Sequence, residues 1–338
     1  MPATPTYGQT LLGGLGAVVP CPPLTSPGIG HNSLLGGQSA PTTYQWLYVR
    51  QRFTQFLANL ALTDQQQENG SRSQAGVRAC LNRHYWGDSS ETLNSMLIGS
   101  WGKCTQVRPP RDVDVLFLLP PDVYHRFQLR SGNKQSQLLQ EVKDVLFATY
   151  SRTAMRGDRH VIMVPFADTT IELLPGFRCQ DGSIIVCDSV GGGSYKTSTA
   201  EAELADLESS DLAWLGNTRA LVRMMKQWQR NCNVPLKSFQ IERLAVEFLR
   251  TWPFALRDVF WYDWMVRDLL GYLIGRANGY LIMPGSNETI WLGSDWLSRA
   301  ETAYGYAVEA CTNERDNYGA LAGNDWRKIF GTSIPVLV

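Results

Sequence analysis

Asp112-Val113-Asp114-Val115-Leu116-Phe117-Leu118-Leu119 decides the reading of this chain. The apolar run predicts a buried strand from Val113 to Leu119. It ends at Pro120-Pro121, which cannot continue a central strand. Residues i and i+2 of a strand project from one face, so Asp112 and Asp114 stand side by side at the head of an oily strand. Two carboxylates there are costly unless something positive neutralises them. A divalent metal is the natural partner, and paired metals are a standard way to run phosphoryl or nucleotidyl transfer.

Two further pieces strengthen that chemistry. Upstream, Gly99-Ser100 precedes Asp112 by 11 intervening residues. A Gly-Ser turn lets backbone N–H groups approach phosphate oxygens closely, and the hydroxyl adds a donor. Lys103 follows as a positive charge. Downstream, Glu172 stands inside a second apolar run, Ile171-Glu172-Leu173-Leu174-Pro175. Taken alone, Asp112 and Asp114 read as turn residues paired by Arg111, and Glu172 as an acid on a solvent face. The joint pattern points instead to a metal site. Asp112 and Asp114 would hold Mg²⁺ on a nucleotide triphosphate, and with Glu172 a second Mg²⁺ that activates a ribose hydroxyl. Mn²⁺ also suits an all-oxygen site.

The bulk composition bounds the alternatives. The chain has 338 residues, 44% hydrophobic and 18% charged, enough for one large or two ordinary domains with a sizeable core. Its formal net charge of +0 gives no global reason to expect obligatory nucleic-acid binding. Seven scattered cysteines without a CxxC pair predict free thiols and a cytoplasmic setting. The four histidines are isolated, which argues against zinc. No apolar run is long enough for a membrane span.

Along the chain, residues 1–40 read as a flexible arm rich in Gly, Pro, Ser and Thr. Helices are expected from Tyr44 to Leu62, around Ala75 to Tyr85 after a polar gap, and from a cap at Ser89 and Ser90 to near Ile98. After the acidic strand come a helix over Gln135–Tyr150 and strands over Val161–Pro165 and Thr169–Leu174, joined by a turn at Ala167-Asp168. A short strand is expected at Ile184–Cys187. Beyond Gly191-Gly192-Gly193, read as a hinge or lid, the chain looks all-helical over Thr218–Cys232, Ser238–Trp252, Asp258–Ala277 and Leu297–Asn313.

Gly99-Ser100-Trp101-Gly102-Lys103-Cys104-Thr105, with Arg108-Pro109-Pro110-Arg111-Asp112-Val113-Asp114, resembles the bacterial cGAS/DncV-like nucleotidyltransferases. These are the signal-making enzymes of CBASS anti-phage defence, with a SMODS domain. The resemblance runs from about Tyr44 to Phe330 and includes Asn217-Thr218-Arg219, Arg223 to Trp228, Lys237 to Glu242 and Asp325 to Gly331. It implies an α+β fold with a DNA-polymerase-β-like catalytic lobe over 41–200 that includes the long first helix. A helical lobe over 201–338 would follow, with the active site in the cleft between them. It implies NTP substrates, with ATP and GTP preferred, and a cyclic oligonucleotide product of cGAMP type. A downstream effector would bind that product, and regulatory CBASS proteins would be partners. Carried over, Gly99 and Ser100 grip the triphosphate, Asp112, Asp114 and Glu172 bind two metals, and Lys226 and Ser238 contact donor phosphates. Many members have Gly where Cys104 stands and Asp where Glu172 stands.

Other candidates rest on position. Arg219, Arg223 and Lys226 share a helix face and read as a phosphate-facing stripe or a solvated face. Ser238 also reads as a helix cap. Tyr195, beside the glycine loop, is a candidate for base stacking, and Arg178 and Lys196 are similar. Trp252, Phe254, Phe260, Trp261, Tyr262 and Trp264 read as core. Two rival functions remain open on these residues. One is transfer to an RNA, small-molecule or protein acceptor, and the other is an inactive nucleotide-sensing scaffold.

Overall fold

The computed structural model describes residues 46–338. The expected arm over 1–40, and Tyr44, lie outside them. The chain divides into two compact units. One takes in Leu62–Ala205, and the other joins residues up to Ala61 with Asp206–Val338. Helix α1 (Val49–Leu60) therefore groups with the C-terminal helices and not with the catalytic lobe assigned to it.

The first unit opens with α2 (Asp64–Tyr85). Thr63 Oγ1 accepts from Gln66 N at 3.2 Å, and Gln66 Oε1 accepts from Thr63 N at 3.0 Å. This capping box starts the helix inside the expected polar gap. The helix expected to end near Ile98 is instead a turn and an edge strand, β1 (Ser95–Leu97). Ser90 Oγ accepts from Thr92 N and Leu93 N, and Asn94 has φ +53°, which ends any helical run. A one-turn helix α3 (Gly99–Gly102) leads to β2 (Val113–Leu118). Pro120-Pro121 ends β2 as expected and starts α4 (Pro121–Gln128), where proline fits the first helical position. Next come α5 (Lys134–Thr149), β3 (Arg156–Asp158), β4 (Val161–Pro165) and β5 (Thr170–Arg178). The β4–β5 turn at Ala167-Asp168 is closed by Phe166 N donating to Thr169 O at 2.8 Å. Two more strands complete the sheet, β6 (Ile184–Asp188) and β7 (Ser194–Thr197), before α6 (Ala200–Ala213).

The seven strands form one mixed sheet in the order β1-β2-β5-β4-β3, with β6 pairing β5 and β7 pairing β6. Only β2 and β5 run parallel among these pairs. Strand β5 runs past the expected stop at Leu174. Its outer edge pairs β4 over 170–173 and β6 over 176–178, and Pro175 falls in the gap between these partners. Helices α2, α4 and α5 cover one face, where Val77, Leu81, Val123, Phe127, Leu138, Val142 and Leu146 meet Val113, Val115, Phe117, Ile162, Ile171 and Leu173. Each fully buried Leu or Phe there contributes about 1.5–3 kcal/mol. The opposite face holds a smaller cluster of Leu116, Ile184 and Val186.

The second unit contains α7 (Asn217–Asn231), α8 (Ser238–Thr251), α9 (Tyr262–Ile274), α10 (Leu297–Arg315) and α11 (Gly319–Phe330). It is not all-helical, because β8 (Tyr280–Ile282) and β9 (Thr289–Trp291) form an antiparallel hairpin. Each strand has only three residues, too short for a periodic signal. Buried Arg52 of α1 ties this unit together. Its Nε donates to Glu314 Oε1 at 2.6 Å, and its terminal nitrogens donate to the carbonyls of Gly319, Pro335 and Val336. Of the aromatic run, Trp252 and Tyr262 are buried as core, whereas Phe254, Phe260, Trp261 and Trp264 are half-buried, with Phe254 on Trp261 at 4.6 Å and Trp252 on Phe248 at 5.6 Å. Cys80, Cys179, Cys187, Cys232 and Cys311 are free thiols, as expected, whereas Cys104 is disulfide-bonded. Among the described residues, no helix is long and apolar enough to cross a membrane.

Asp263 on α9 is buried, and Oδ2 has no hydrogen-bond partner. Burial pushes its carboxyl up to about 7. An acid with a raised folded pKa stabilises fully below its unfolded pKa, and that contribution is lost as pH rises through the folded value. Asp263→Asn, which mimics the neutral form, should therefore flatten the curve of stability against pH. The wild type should lose up to about 1.4 kcal/mol per pH unit relative to the variant between pH ~4 and ~7. Paired denaturant melts across that window measure this, and superimposable curves would refute it.

Candidate active site

The parallel register of β2 on β5 sets Asp114 directly beside Glu172. Their alternation puts both acids on the face opposite the helix-covered core, because Val113, Val115, Ile171 and Leu173 fill the other side. Asp112 precedes β2 by one residue and shares the face of Asp114. The carboxyl groups of Asp112 and Glu172 are close enough to share a hydrogen bond. Arg111, the cation that the bland reading paired with these acids, forms no ion pair among the described residues. All three acids are half-buried.

Burial raises the Glu172 carboxyl above its ordinary range, and the negative charges of Asp112 and Asp158 raise it further. Arg156 opposes the rise. Such crowding of like charge is what a bound cation relieves. Among the described residues, however, no three His, Cys, Asp or Glu side chains are gathered as a cage ready for an ion. The three acids are neighbours on a sheet, an open all-oxygen set. That suits Mg²⁺, which keeps several waters and takes one or two carboxylates with substrate phosphates.

The Gly-Ser turn sits against this set. Gly99 has φ +55°, and a Cβ there would overlap the Asp114 carboxylate. Only glycine brings the backbone so close to the acid without strain. The turn is anchored from behind by Trp101, which is buried against Gly70 of α2, where a Cβ would strike its ring. Ile98 N donates to Asp114 O at 3.0 Å and locks the turn to β2. Ser100 is the second residue of α3, immediately after Gly99.

Other candidates sit elsewhere. Lys103 is buried, and its Nζ lies 2.7 Å from Glu203 Oε2 on α6. Its charge serves a buried ion pair, contrary to the phosphate role expected of it. Tyr195 is not placed to stack a base on the acidic face. It projects to the helix-covered face, packs on Tyr124 and Phe177, and its hydroxyl accepts from Gln128. The glycine loop beside it is the tip of the β6–β7 hairpin within the first unit, not a connection between lobes. Arg178 pairs with Glu201 and Lys196 with Asp188. In the second unit Lys226 is buried with its Nζ 2.7 Å from Glu242 Oε1, and Arg219 pairs with Asp211 and Glu208. Arg219 and Lys226 of the expected stripe are thus buried and ion-paired. Ser238 is the first residue of α8, and Lys237 takes the cap position. Arg156 and Asp158, which flank Glu172 electrostatically, escaped the sequence reading because three-residue β3 gives no periodic signal.

Residues 47–210 match the Second Messenger Oligonucleotide or Dinucleotide Synthetase (SMODS) domain. That stretch carries a SMODS domain, the mark of a nucleotidyltransferase. Solved structures share the fold. An apo form of Vibrio cholerae DncV is 14% identical with a TM-score of 0.66, covering 85% of this chain and 96% of that one. Vibrio cholerae DncV cyclic AMP-GMP synthase in complex with the linear intermediate 5′ pppA(3′,5′)pG is 12% identical with a TM-score of 0.65, covering 86% and 97%. The Escherichia coli MS115-1 CdnC:HORMA-deltaN complex gives 16% identity and a TM-score of 0.61, covering 85% and 98%. No curated protein matches the sequence.

Gly99→Ala should lower turnover of this nucleotidyltransferase by at least about 100-fold, while costing stability only about 1–3 kcal/mol. NTP consumption measured beside thermal melts tests this, and near wild-type turnover would contradict it. Tyr195→Leu should do the reverse. It should cost about 1–3 kcal/mol and leave the KM for NTPs unchanged.

Proposed function

We propose that this chain condenses ATP and GTP into a cyclic dinucleotide of cGAMP type, for CBASS anti-phage signalling. The observation that carries the reading is the register of Asp114 beside Glu172, with Gly99 pressed against Asp114. Asp112, Asp114 and Glu172 are the metal-binding and catalytic residues, and Gly99 and Ser100 hold the donor triphosphate.

Two Mg²⁺ ions held by the three acids would neutralise triphosphate charge and lower the pKa of the attacking hydroxyl. The remaining work belongs to the protein. Gly99 offers close backbone approach to phosphate oxygens, and Ser100 adds a hydroxyl donor. The sheet holds the acids fixed so that little reorganisation accompanies reaction. An acceptor ribose hydroxyl attacks the donor α-phosphorus in line. The new P–O bond forms as the bond to the bridging oxygen breaks, pyrophosphate leaves with the electron pair, and the hydroxyl proton passes to solvent. The linear product then rebinds and closes on itself by the same step.

The DncV structure with a linear pppApG intermediate supports a two-step dinucleotide route. The CdnC:HORMA complex supports a regulatory protein partner. The decisive experiment incubates the protein with mixed NTPs and Mg²⁺ and no added acceptor. Mass spectrometry should show a cyclic dinucleotide, and Asp114→Asn should abolish it. A product that forms only with RNA, a small molecule or a protein present would favour transfer to that acceptor. Unchanged synthesis by Asp114→Asn would refute the metal role.

A further inference from the structure

A row of side chains crosses the acidic face of the sheet. Asp114 is in register with Glu172, Glu172 with Met163, and Met163 with Arg156. Registered neighbours project from one face, spaced by about 4.8 Å per strand. The row therefore reads acid, acid, thioether, guanidinium. Arg156 lies two strands, roughly 10 Å, from Glu172. It is on the side away from β1 and α3, since β3 and β1 are at opposite ends of the order β1-β2-β5-β4-β3.

Arg156 is exposed, and its Nε donates to Met163 Sδ at 3.2 Å. It carries no ion pair among the described residues. Lys103, Arg178 and Lys196 of the same unit are each tied to a carboxylate. The guanidinium is thus held over the row by a soft, weak acceptor and keeps its charge for a ligand.

In-line displacement puts the attacking and leaving oxygens on opposite sides of the phosphorus. With the donor triphosphate at the Gly99-Ser100 end, the attacking hydroxyl enters from the β4–β3 end. We propose that Met163 and Arg156 form the acceptor-nucleotide subsite. The Met163 thioether is a soft apolar shelf under the acceptor, and Arg156 pairs with the acceptor's own polyphosphate, a match for its planar fork of donors. This rests on the reading that the acceptor is itself a nucleoside triphosphate. It makes Arg156 a positioning residue that selects an acceptor carrying a 5′ polyphosphate.

A dideoxynucleoside triphosphate has no hydroxyl to attack with and serves only as donor, so the two sites can be titrated separately. Each dideoxy-NTP is paired with each ribonucleoside triphosphate as acceptor, and KM is measured for both in wild type, Arg156→Ala, Arg156→Lys and Met163→Ala. Arg156→Ala should raise the acceptor KM about 10- to 100-fold and leave the donor KM unchanged. Arg156→Lys should recover part of the loss. Met163→Ala should raise the acceptor KM by a smaller factor. Wild-type turnover with an unaltered acceptor KM in Arg156→Ala would overturn the assignment alone, as would equal rises for donor and acceptor. No wild-type product from any pair would overturn the nucleotidyltransferase reading and this assignment with it.

Discussion

Parallel pairing of β2 with β5 fixes where the acids meet, and the hydrophobic core enforces it. Val113, Val115 and Phe117 of β2, with Ile171 and Leu173 of β5, are buried under the helices. A slip of one residue would turn Asp114 or Glu172 into that core and expose its partners. Burying an unpaired carboxylate costs several kcal/mol, so the slipped register is excluded by the same force that packs the sheet. Parallel strands also need a long crossover, which α4 and α5 supply while covering the oily face. The acids are left on the other face, where the apolar cluster is small.

Charge around that face is managed by pairing. Lys103 with Glu203, Arg178 with Glu201, and Lys196 with Asp188 are all set within one unit. The buried Lys103 pair is structural in kind, because removing either partner would strand a charge with little water. Backbone geometry, more than lysine side chains, is therefore what this unit sets beside the acids. Gly99 is decisive for that reason. Its left-handed backbone and missing Cβ let the turn lie on Asp114, while Trp101 seated on Gly70 keeps the turn from moving away.

Much of this was legible in the sequence because strong patterns leave strong marks. The apolar run of β2, the Pro120-Pro121 stop, the Ala167-Asp168 turn and the periodicity of α5, α7, α8 and α10 all emerge near the expected places. Misreadings share a physical origin in tertiary context. The first turns of α2 are polar because they are capped and solvent-facing, so hydrophobic periodicity does not announce them. Residues 95–97 are a strand because β2 offers an edge to pair with, which local propensity does not encode. Tyr195 looked poised for stacking because its neighbours are glycines. The pleat of β7 sends it to the core instead. Lys103 and Lys226 looked free for phosphate because their partners, Glu203 and Glu242, are distant in sequence or on another helix.

Identities of 12–16% with the solved relatives, at TM-scores of 0.61–0.66, indicate what a fold of this kind must keep. Burial alternation and the β2–β5 register tolerate wide substitution among apolar residues, since a core needs the right pattern and volume more than particular side chains. Under the proposed function, the acids act on phosphate and hydroxyl groups common to every nucleotide, and so are blind to the base. Base choice and acceptor choice must then come from side chains outside the Asp114–Glu172 pair, along the same row of the sheet or beyond it. Exposed positions such as Arg156 on an edge strand can change without disturbing core or register. A scaffold built this way can vary its exposed edge while the Asp114–Glu172 pairing stays fixed, which under the proposed function would separate the residues that make the bond from those that choose what is joined.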